Sequence, residues 1–247
     1  MREIKHLEPL TIWFNALFKC KKYTVFAKYT ERNLPLMEKS LKMTFRVGFS
    51  KDFEQQEFAT QVIEQWQYGT PQFILKSSGS TGLPKEITLN RNLLIWSSEQ
   101  TAKRLELNNE HLLCCLPIDK TGGFMQLIRA LHLNYPIYFT KPKANPLAEI
   151  TDSSYTITSV TPYQLQTLFD ETPEKLGNFK NILVGGAAIE PALLDQITQY
   201  EGNTIFWETY GMTETASHFA LKNLSKGESE FTVNEGVMLS NKQGTLT

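Results

Sequence analysis

The chain has 247 residues, of which 41% are hydrophobic and 11% aromatic, so it can bury a substantial core and need not be disordered. Its 25 basic residues are matched by 26 acidic ones, and the formal net charge of -1 argues against a generic nucleic-acid-binding protein. The sequence has neither an apolar stretch of the ~20 residues that cross a bilayer nor a secretory signal at its charged N-terminus. We therefore expect a cytoplasmic protein with no membrane partner, built as one large domain or two subdomains.

Three cysteines, Cys20, Cys114 and Cys115, are odd in number and form no CxxC pair. This pattern indicates neither a disulfide framework nor a zinc site. Cys114 and Cys115 stand in an apolar run, which predicts small core residues in a reducing compartment. The sequence does not indicate an oligomeric state.

The first part of the chain, from about residue 9 to residue 67, has a mainly helical pattern. Two sets of apolar residues recur at near-helical spacing and are expected in the core: Trp13, Phe14, Leu17 and Phe18, and then Phe53, Phe58, Val62, Ile63 and Trp66. We predict that residues 1–70 form a mainly helical portion of the same domain as residues 71–247.

Beyond Thr70 extended and helical patterns alternate. Strands are predicted at 73–76, 86–89, 111–116, 136–139, 155–160, 181–184 and 204–208, and helices at 92–105, 123–132, from Pro162, and at 191–200. Pro162 and Pro191 suit the first turn of a helix, where a missing N–H costs nothing. This alternation predicts an α/β fold with a largely parallel sheet covered by helices on both faces. Ligands gather at the carboxyl ends of such strands.

A loop rich in Ser and Gly lies within residues 75–87 and has the composition of a phosphate-binding loop. Hydroxyl groups and glycines that let backbone N–H groups converge on an anion are followed by a lysine; the residues are Ser77, Ser78, Gly79, Ser80, Thr81, Gly82 and Lys85. The spacing is not that of a Walker loop. A surface hairpin between two strands is an equal alternative on composition alone.

Two further loops follow predicted strands. Gly185, Gly186 and Ala187 leave space for a flat group at a strand end, although a strand-to-helix turn also needs glycine. Near residue 210 an aromatic ring, a hydroxyl group and a carboxylate come within five residues. Tyr210 can stack on a base, and Thr213 and Glu214 can bind phosphate and Mg²⁺, although a Thr-Glu pair is also typical of a helix cap.

Together these loops resemble the acyl-adenylate-forming superfamily. Residues 77–85, Ser-Ser-Gly-Ser-Thr-Gly-Leu-Pro-Lys, are similar to its phosphate signature, and residues 210–214, Tyr-Gly-Met-Thr-Glu, to its second signature about 125 residues later. The resemblance runs from about residue 72 onward. Within the superfamily the chain is most similar to the o-succinylbenzoate-CoA ligases of menaquinone biosynthesis, in residues 116–131, 145–147, 182–191 and 215–218.

The resemblance implies the large N-terminal domain of an adenylate-forming enzyme. It also implies that this enzyme is an acid-thiol ligase of the o-succinylbenzoate-CoA ligase type. A carboxylate attacks ATP to give acyl-AMP and pyrophosphate, and coenzyme A then displaces AMP. Catalytic roles are implied for Lys85, Thr213 and Glu214, with Glu214 as the Mg²⁺ ligand. The nucleotide-binding residues implied are Ser77, Ser78, Gly79, Ser80, Thr81, Gly82, Lys85, Gly185, Gly186, Ala187, Tyr210, Gly211 and Thr213.

The chain departs from the family pattern at two places. Glu86 follows the signature lysine where relatives have glycine, and its carboxylate would repel phosphate unless the strand points it outward. Asp119 and Lys120 replace an aromatic residue and histidine. An o-succinylbenzoate-type substrate has a second carboxylate, for which we hypothesise Lys120 or Arg129; a solvated lysine and a helix-capping arginine are equally compatible with the sequence. Gly123 and Ser217 complete the predicted substrate site.

The sequence ends where the family's next conserved strand would begin, so we expect the C-terminal domain with its adenylation lysine to be absent and complete turnover to be weak. Two alternatives stay open. One is another acyl- or aryl-CoA synthetase. The other is a non-catalytic nucleotide-binding module, which Glu86 favours and which intact Lys85, Thr213 and Glu214 disfavour.

Overall fold

The computed structural model describes residues 45–77 and 85–239, together with the backbone of four short strands at 12–13, 25–29, 241–242 and 245–246. The chain divides into a larger unit, Met43–Asn234, and a smaller one formed by Met1–Lys42 and Glu235–Thr247. Residues 45–70, which the sequence assigns to an N-terminal portion, lie in the larger unit. The boundary proposed near residue 70 stays a prediction.

The elements follow in chain order. The strands are β1 (Ile12–Trp13), β2 (Val25–Tyr29), β3 (Val47–Phe49), β4 (Gln72–Ser77), β5 (Lys85–Asn90), β6 (Leu112–Cys114), β7 (Ile137–Phe139), β8 (Ile157–Val160), β9 (Asn181–Val184), β10 (Ile205–Met212), β11 (Ser217–Asn223), β12 (Thr232–Val233), β13 (Val237–Leu239), β14 (Asn241–Lys242) and β15 (Thr245–Leu246). The helices are α1 (Gln56–Gln67), α2 (Arg91–Arg104), α3 (Thr121–Leu133), α4 (Pro162–Glu171) and α5 (Pro191–Thr198), with 3₁₀ turns at Pro173–Asn178 and Thr213–Thr215.

An eight-stranded sheet forms the centre of the larger unit, in the order β12-β11-β10-β9-β8-β6-β7-β3. The six strands from β10 to β3 are parallel, and β11 and β12 extend the sheet antiparallel from β10. The predicted α/β fold with a largely parallel sheet is confirmed. The antiparallel extension was not predicted, and it carries β10 beyond residue 208 to Met212.

Helices cover both faces of this sheet, as predicted. Side chains of a strand point alternately to opposite faces. The residues of β6 and Cys115, which follows it, divide accordingly: Leu112 and Cys114 belong to one apolar cluster, Leu113 and Cys115 to another. The first cluster includes residues of α1, α2 and α3, and the second includes residues of α4 and α5. Cys114 and Cys115 are wholly buried core residues, and burial raises the pKa of the Cys115 thiol to about 12.

The described part of residues 1–70 contains strands as well as a helix, and the prediction of a mainly helical portion stays a prediction. The helix α1 confirms the pattern at Val62 and Trp66, which are buried. Trp13 lies in β1, and residues 25–29 form β2, whose β-branched and aromatic residues favour a strand over a helix. Within the smaller unit β2 pairs with both β1 and β13. The predicted helical positions Phe14, Leu17 and Phe18, like Cys20, lie outside the described residues.

The two extended segments on either side of residues 78–84 do not join the parallel sheet. β4 and β5 pair with each other as an antiparallel hairpin, from Gln72 opposite Asn90 to Ser77 opposite Lys85. The strands that flank residues 78–84 therefore belong to a hairpin, and β4 does not end at the carboxyl edge of the parallel sheet. In the described part of the chain, no helix is long and apolar enough to span a membrane.

Helix α3 begins where the sequence has two glycines, and only one of them has no room for a side chain. A Cβ atom on Gly123 would lie 2.4 Å from the Pro117 carbonyl oxygen, whereas one on Gly122 would meet only the flexible Leu116 side chain, at 2.9 Å. Gly123 thus fixes the distance between the start of α3 and the loop before it.

We expect Gly123→Ala to lower the free energy of unfolding by about 1–3 kcal/mol, because backbone must move to accept the methyl group. Gly122→Ala is the matched control and should be nearly neutral, since the Leu116 side chain can turn away and alanine favours the helix. Urea denaturation of the two variants measures the difference. Equal destabilisation by both would contradict the assignment.

Candidate active site

The hairpin β4–β5 carries the first signature, of which residues 78–84 lie outside the described residues. Alternation along β5 places Lys85 on the side of Ile87 and of the buried Leu89, and Glu86 on the opposite, exposed side. Glu86 is paired in register with Lys76. The carboxylate of Glu86 therefore points away from the lysine face, which is the arrangement that a phosphate site requires.

The loop after β9 contains the predicted glycines, and the two have different constraints. A Cβ atom on Gly185 would lie 2.1 Å from the Thr209 hydroxyl oxygen, so β10 itself requires glycine there. Gly186 has a φ of +88°, with nothing within 4 Å of an added Cβ atom. Gly186 and the exposed Ala187 thus leave the open space expected beside a flat ligand.

Tyr210 and Gly211 lie within β10, not in a loop after it as predicted, because pairing with β11 continues to Met212 across a bulge between the two residues. A Cβ atom on Gly211 would lie 2.1 Å from the Ser217 carbonyl oxygen. The Tyr210 ring is 36% exposed and lies 5.4 Å from Phe219 and 5.5 Å from Phe231, measured between ring centroids. Two aromatic rings thereby support the Tyr210 ring, and the residue is partly accessible to solvent.

The acidic side chain two residues before Tyr210 is neutralised inside the sheet. Glu208 forms an ion pair with Lys222 across the β10–β11 ladder, with 2.5 Å between Oε2 and Nζ. Both side chains are largely buried. This pairing removes a negative charge that would otherwise oppose phosphate groups nearby.

The 3₁₀ turn Thr213–Thr215 lies between β10 and β11. The Thr213 and Thr121 hydroxyl oxygens are 2.7 Å apart, so the turn touches the first residue of α3. Glu214 is partly exposed on the same turn. The described residues include no group of three or more His, Cys, Asp or Glu side chains suited to a metal ion. A single carboxylate still fits Mg²⁺, which binds through one or two carboxylates plus substrate phosphates.

A buried polar layer lies beneath this turn, and no pattern in the sequence predicts it. Ser97 donates to the Ala216 carbonyl oxygen at 2.8 Å, and Thr101 donates to the Ser97 carbonyl oxygen at 2.9 Å. Thr101 must then accept from His218 Nε2, which is 2.9 Å away. This order makes His218 a neutral imidazole protonated at Nε2, and its Nδ1 accepts from the Ser217 hydroxyl at 3.3 Å.

Burial lowers the pKa of His218 to about 3, and the positive charge of the Arg129 guanidinium makes a smaller contribution in the same direction. Arg129 is only 2% exposed and lies in the middle of α3, so it is not a helix cap. No hydrogen bond or ion pair joins it to any described residue, and its Nε is completely buried. Burial lowers the pKa of Arg129 to about 10.

The other two predicted substrate residues of this region have different surroundings. Lys120 directly precedes α3, is about half exposed and has its Nζ 3.4 Å from Asp119. Asp119 also accepts from the Gln55 side chain at 2.8 Å. Gly123 is buried against the Pro117 carbonyl oxygen. Among the described residues Arg129 thus has no charged partner, whereas the charge of Lys120 is paired with that of Asp119.

Several of the predicted site residues that the structure describes lie on neighbouring segments, and their roles stay predictions. Parallel pairing of Val184 with Glu208 brings the glycine loop beside Tyr210. The turn Thr213–Thr215 touches α3, and Cα atoms of β5 lie within 8 Å of those of the turn. The Ser217 hydroxyl lies 3.3 Å from His218 Nδ1, and the charge of Arg129 acts on the same imidazole. The residues that were missed are Thr121, Thr101 and His218, whose roles depend on contacts between distant segments.

A parallel α/β sheet with a glycine loop and a Tyr-Gly-Met-Thr-Glu segment at its carboxyl edge, next to a Ser- and Gly-rich hairpin, defines a domain of the adenylate-forming class. The chain belongs to the AMP-binding enzyme family, whose family model matches residues 25–242.

Curated relatives include the 2-succinylbenzoate–CoA ligases of Geobacillus sp., 32% identical over 154 residues, and of Haemophilus influenzae, 30% identical over 151 residues. Each match covers 60% of this chain, and 30% and 32% of the respective relative. The chain thus spans about a third of the length of the curated relatives it matches.

Two solved structures are similar in fold. An acyl-CoA synthetase (AMP-forming)/AMP-acid ligase II-like protein from Dyadobacter fermentans has a TM-score of 0.70 and 33% identity, over 75% of this chain and 54% of that one. The o-succinylbenzoate coenzyme A synthetase of Bacillus subtilis, in complex with ATP and magnesium ion, has a TM-score of 0.61 over 70% of this chain and 38% of that one. At 20% identity the second match shows the fold alone.

His218 makes the stability of the fold depend on pH. Its pKa is lowered from 6.5 to about 3 in the folded protein, so the unfolded chain takes up a proton first as pH falls. The contribution of neutral His218 to the free energy of unfolding is fully present above pH 6.5. It is lost as pH falls from 6.5 to about 3, at roughly 1.4 kcal/mol per pH unit. We expect His218→Gln to flatten the profile of unfolding free energy against pH in this window.

Denaturant titrations of both proteins from pH 8 to pH 4 measure this effect. Above pH 7 the two profiles should run parallel, which provides an internal control for other effects of the substitution. If the difference in unfolding free energy between the two proteins were the same at pH 6 and at pH 4, His218 would not be the group responsible.

Proposed function

We propose that this chain is the nucleotide- and carboxylate-binding core of an ATP-dependent acid–CoA ligase that activates an o-succinylbenzoate-type substrate. The observation that supports it most directly is the meeting of three segments at the Thr213–Thr215 turn: β5 with its signature lysine, the end of β10 with Tyr210, and the start of α3. A family match over residues 25–242 supports the same class of chemistry.

The proposed reaction has two steps. A carboxylate oxygen of the substrate attacks the α-phosphorus of ATP, and the bond to the bridging oxygen breaks, releasing pyrophosphate. The sulfur of coenzyme A then attacks the acyl carbon, the bond to the phosphate oxygen breaks, AMP leaves, and the thiol proton goes to solvent. Because an anion must approach another anion in the first step, the protein's main contribution is charge neutralisation and positioning.

The chain's residues have distinct proposed roles in the first step. Residues Ser77 to Gly82 and Lys85 hold the β- and γ-phosphates. Thr213 donates its hydroxyl hydrogen to the α-phosphate, and Glu214 holds Mg²⁺, which would neutralise phosphate charge. The adenine stacks on Tyr210 beside Gly211 and the loop Gly185, Gly186 and Ala187, where the Glu208–Lys222 ion pair leaves no excess negative charge.

Arg129 is the residue we propose for the second carboxylate of the substrate. A buried guanidinium without a partner is unfavourable, and an arriving carboxylate compensates for it with charge-assisted hydrogen bonds. Arg129 lies eight positions after Thr121 in α3, or about 12 Å along the helix axis, which is comparable to the length of an aromatic acyl group and its adenylate phosphate. Lys120 is the weaker of the two candidates because Asp119 already pairs with it.

A second candidate is an acyl- or aryl-CoA synthetase for a different acid. The 33% identity to the Dyadobacter acyl-CoA synthetase-like protein favours it, since that match covers more of this chain than the match to the Geobacillus ligase does. A monocarboxylate substrate would leave Arg129 without a partner. The two candidates therefore differ in whether binding requires a second carboxylate.

Calorimetry tests the proposed function directly. We expect the chain to bind ATP in the presence of Mg²⁺, and to bind a non-hydrolysable o-succinylbenzoyl-AMP mimic at least ~100-fold more tightly, because the mimic presents both substrates joined. Equal affinity for ATP and the mimic would indicate a nucleotide-binding module without acid activation. Absence of binding to either would contradict the proposed function altogether.

The role of Arg129 has its own test, in which Arg129→Met and Lys120→Met each remove one cation. We expect Arg129→Met to weaken binding of the o-succinylbenzoyl mimic roughly 10- to 100-fold, the value of a charge-assisted hydrogen bond. A mimic without the second carboxylate, the one on the ring, should bind the wild type and Arg129→Met equally. Because the buried guanidinium forms no hydrogen bond or ion pair with a described residue, Arg129→Met should not destabilise the fold.

Lys120→Met serves as the matched control and should change the affinity for either mimic less than about twofold, because Lys120 is exposed and paired with Asp119. A larger loss from Lys120→Met than from Arg129→Met would reverse the assignment of the second carboxylate. Loss of affinity for both mimics in Arg129→Met would assign Arg129 a purely structural role.

A further inference from the structure

The contact between Thr121 and Thr213 joins two parts of the chain that are 92 residues apart. Thr121 is the first residue of α3, and Thr213 is the first residue of the 3₁₀ turn that follows β10. The two hydroxyl oxygens lie 2.7 Å apart, the usual distance for an O–H···O hydrogen bond, in a partly buried position.

The hydroxyl of Thr121 is available for this contact. In residues 45–77 and 85–239 the only partner of the Thr121 hydroxyl is Thr213. Lys120, the residue that precedes α3, makes no capping hydrogen bond with its side chain. The backbone around Thr121 is fixed, because Phe124 donates to the Lys120 carbonyl oxygen at 2.9 Å and Gly123 is packed against the Pro117 carbonyl oxygen. The hydroxyl is thus attached to a part of the helix that cannot easily move away.

Only one direction of this hydrogen bond is compatible with phosphate binding. A phosphate oxygen only accepts hydrogen bonds, so Thr213 must donate its single hydroxyl hydrogen to the α-phosphate under the proposed function. The Thr213 oxygen can then only accept from Thr121. Such a chain of donors polarises the second hydroxyl and strengthens its bond to the anion.

We propose that Thr121 is a positioning residue, which donates to Thr213 and thereby holds the Thr213 hydroxyl ready to donate to the α-phosphate of the nucleotide. This inference rests on the proposed function, because it needs a nucleotide phosphate at Thr213. It adds a link from the acid-binding helix α3, which also carries Arg129, to the nucleotide signature.

Binding of AMP and of adenosine separates this role from a general structural one, since only AMP has the α-phosphate. We expect Thr121→Val, which keeps the shape but removes the donor, to weaken AMP binding about tenfold and to leave adenosine binding unchanged. Thr121→Ser keeps the donor and should stay within about twofold of the wild type. Thr121→Ala is a second variant without the donor and should behave like Thr121→Val.

The double variant makes the test independent of other effects. In a Thr213→Val background the acceptor is missing, so Thr121→Val should cause no further loss of AMP affinity. Equal loss of AMP and adenosine affinity in Thr121→Val, or no loss of AMP affinity, would overturn the positioning role while leaving the proposed function in place. A wild-type chain that binds neither ligand would overturn both.

Discussion

Strands β9 and β10 lie side by side and parallel, with Val184 opposite Glu208, and the geometry of the candidate site depends on this register. Parallel strands end at the same edge of a sheet, so the loop after Val184 and the aromatic end of β10 have to emerge together. A shift by one residue would exchange the faces of every side chain of β10. The apolar clusters on the two faces oppose such a shift, because Phe206 and Trp207 belong to opposite clusters. The packing of the two apolar clusters thus sets the position of Tyr210, although the residues of these clusters are not part of the candidate site.

Much of this architecture is readable from the sequence, because buried parallel strands are short apolar runs with clear ends. All four residues of β9 are buried and two glycines follow, and its predicted limits are the observed ones. The limits of β10 were wrong because Gly211 resembles a loop residue, whereas its missing side chain makes room for the Ser217 backbone. The bonds between Thr121 and Thr213, and between Thr101 and His218, join residues more than 90 positions apart, and no local pattern reports such contacts.

The polar layer under the second signature shows how the two signatures are connected. Helix α2 follows directly after the hairpin, and its Ser97 and Thr101 hold the carbonyl oxygen of Ala216 and the imidazole of His218. Ala216 and Ser217 both have positive φ, of 52° and 95°, which is costly for residues with side chains and has to be supported by the surrounding structure. The hydrogen bonds from α2 supply part of that support.

The hairpin β4–β5 pairs with no other strand in the described part of the chain. Phe73, Leu75 and Leu89 attach it to the first apolar cluster, and non-directional packing of this kind permits sliding. A rocking displacement of the hairpin relative to the sheet therefore breaks no backbone ladder, unlike the same displacement of β9 or β10. Side-chain packing, and no strand pairing, holds the described part of the hairpin against the rest of the larger unit's apolar cluster.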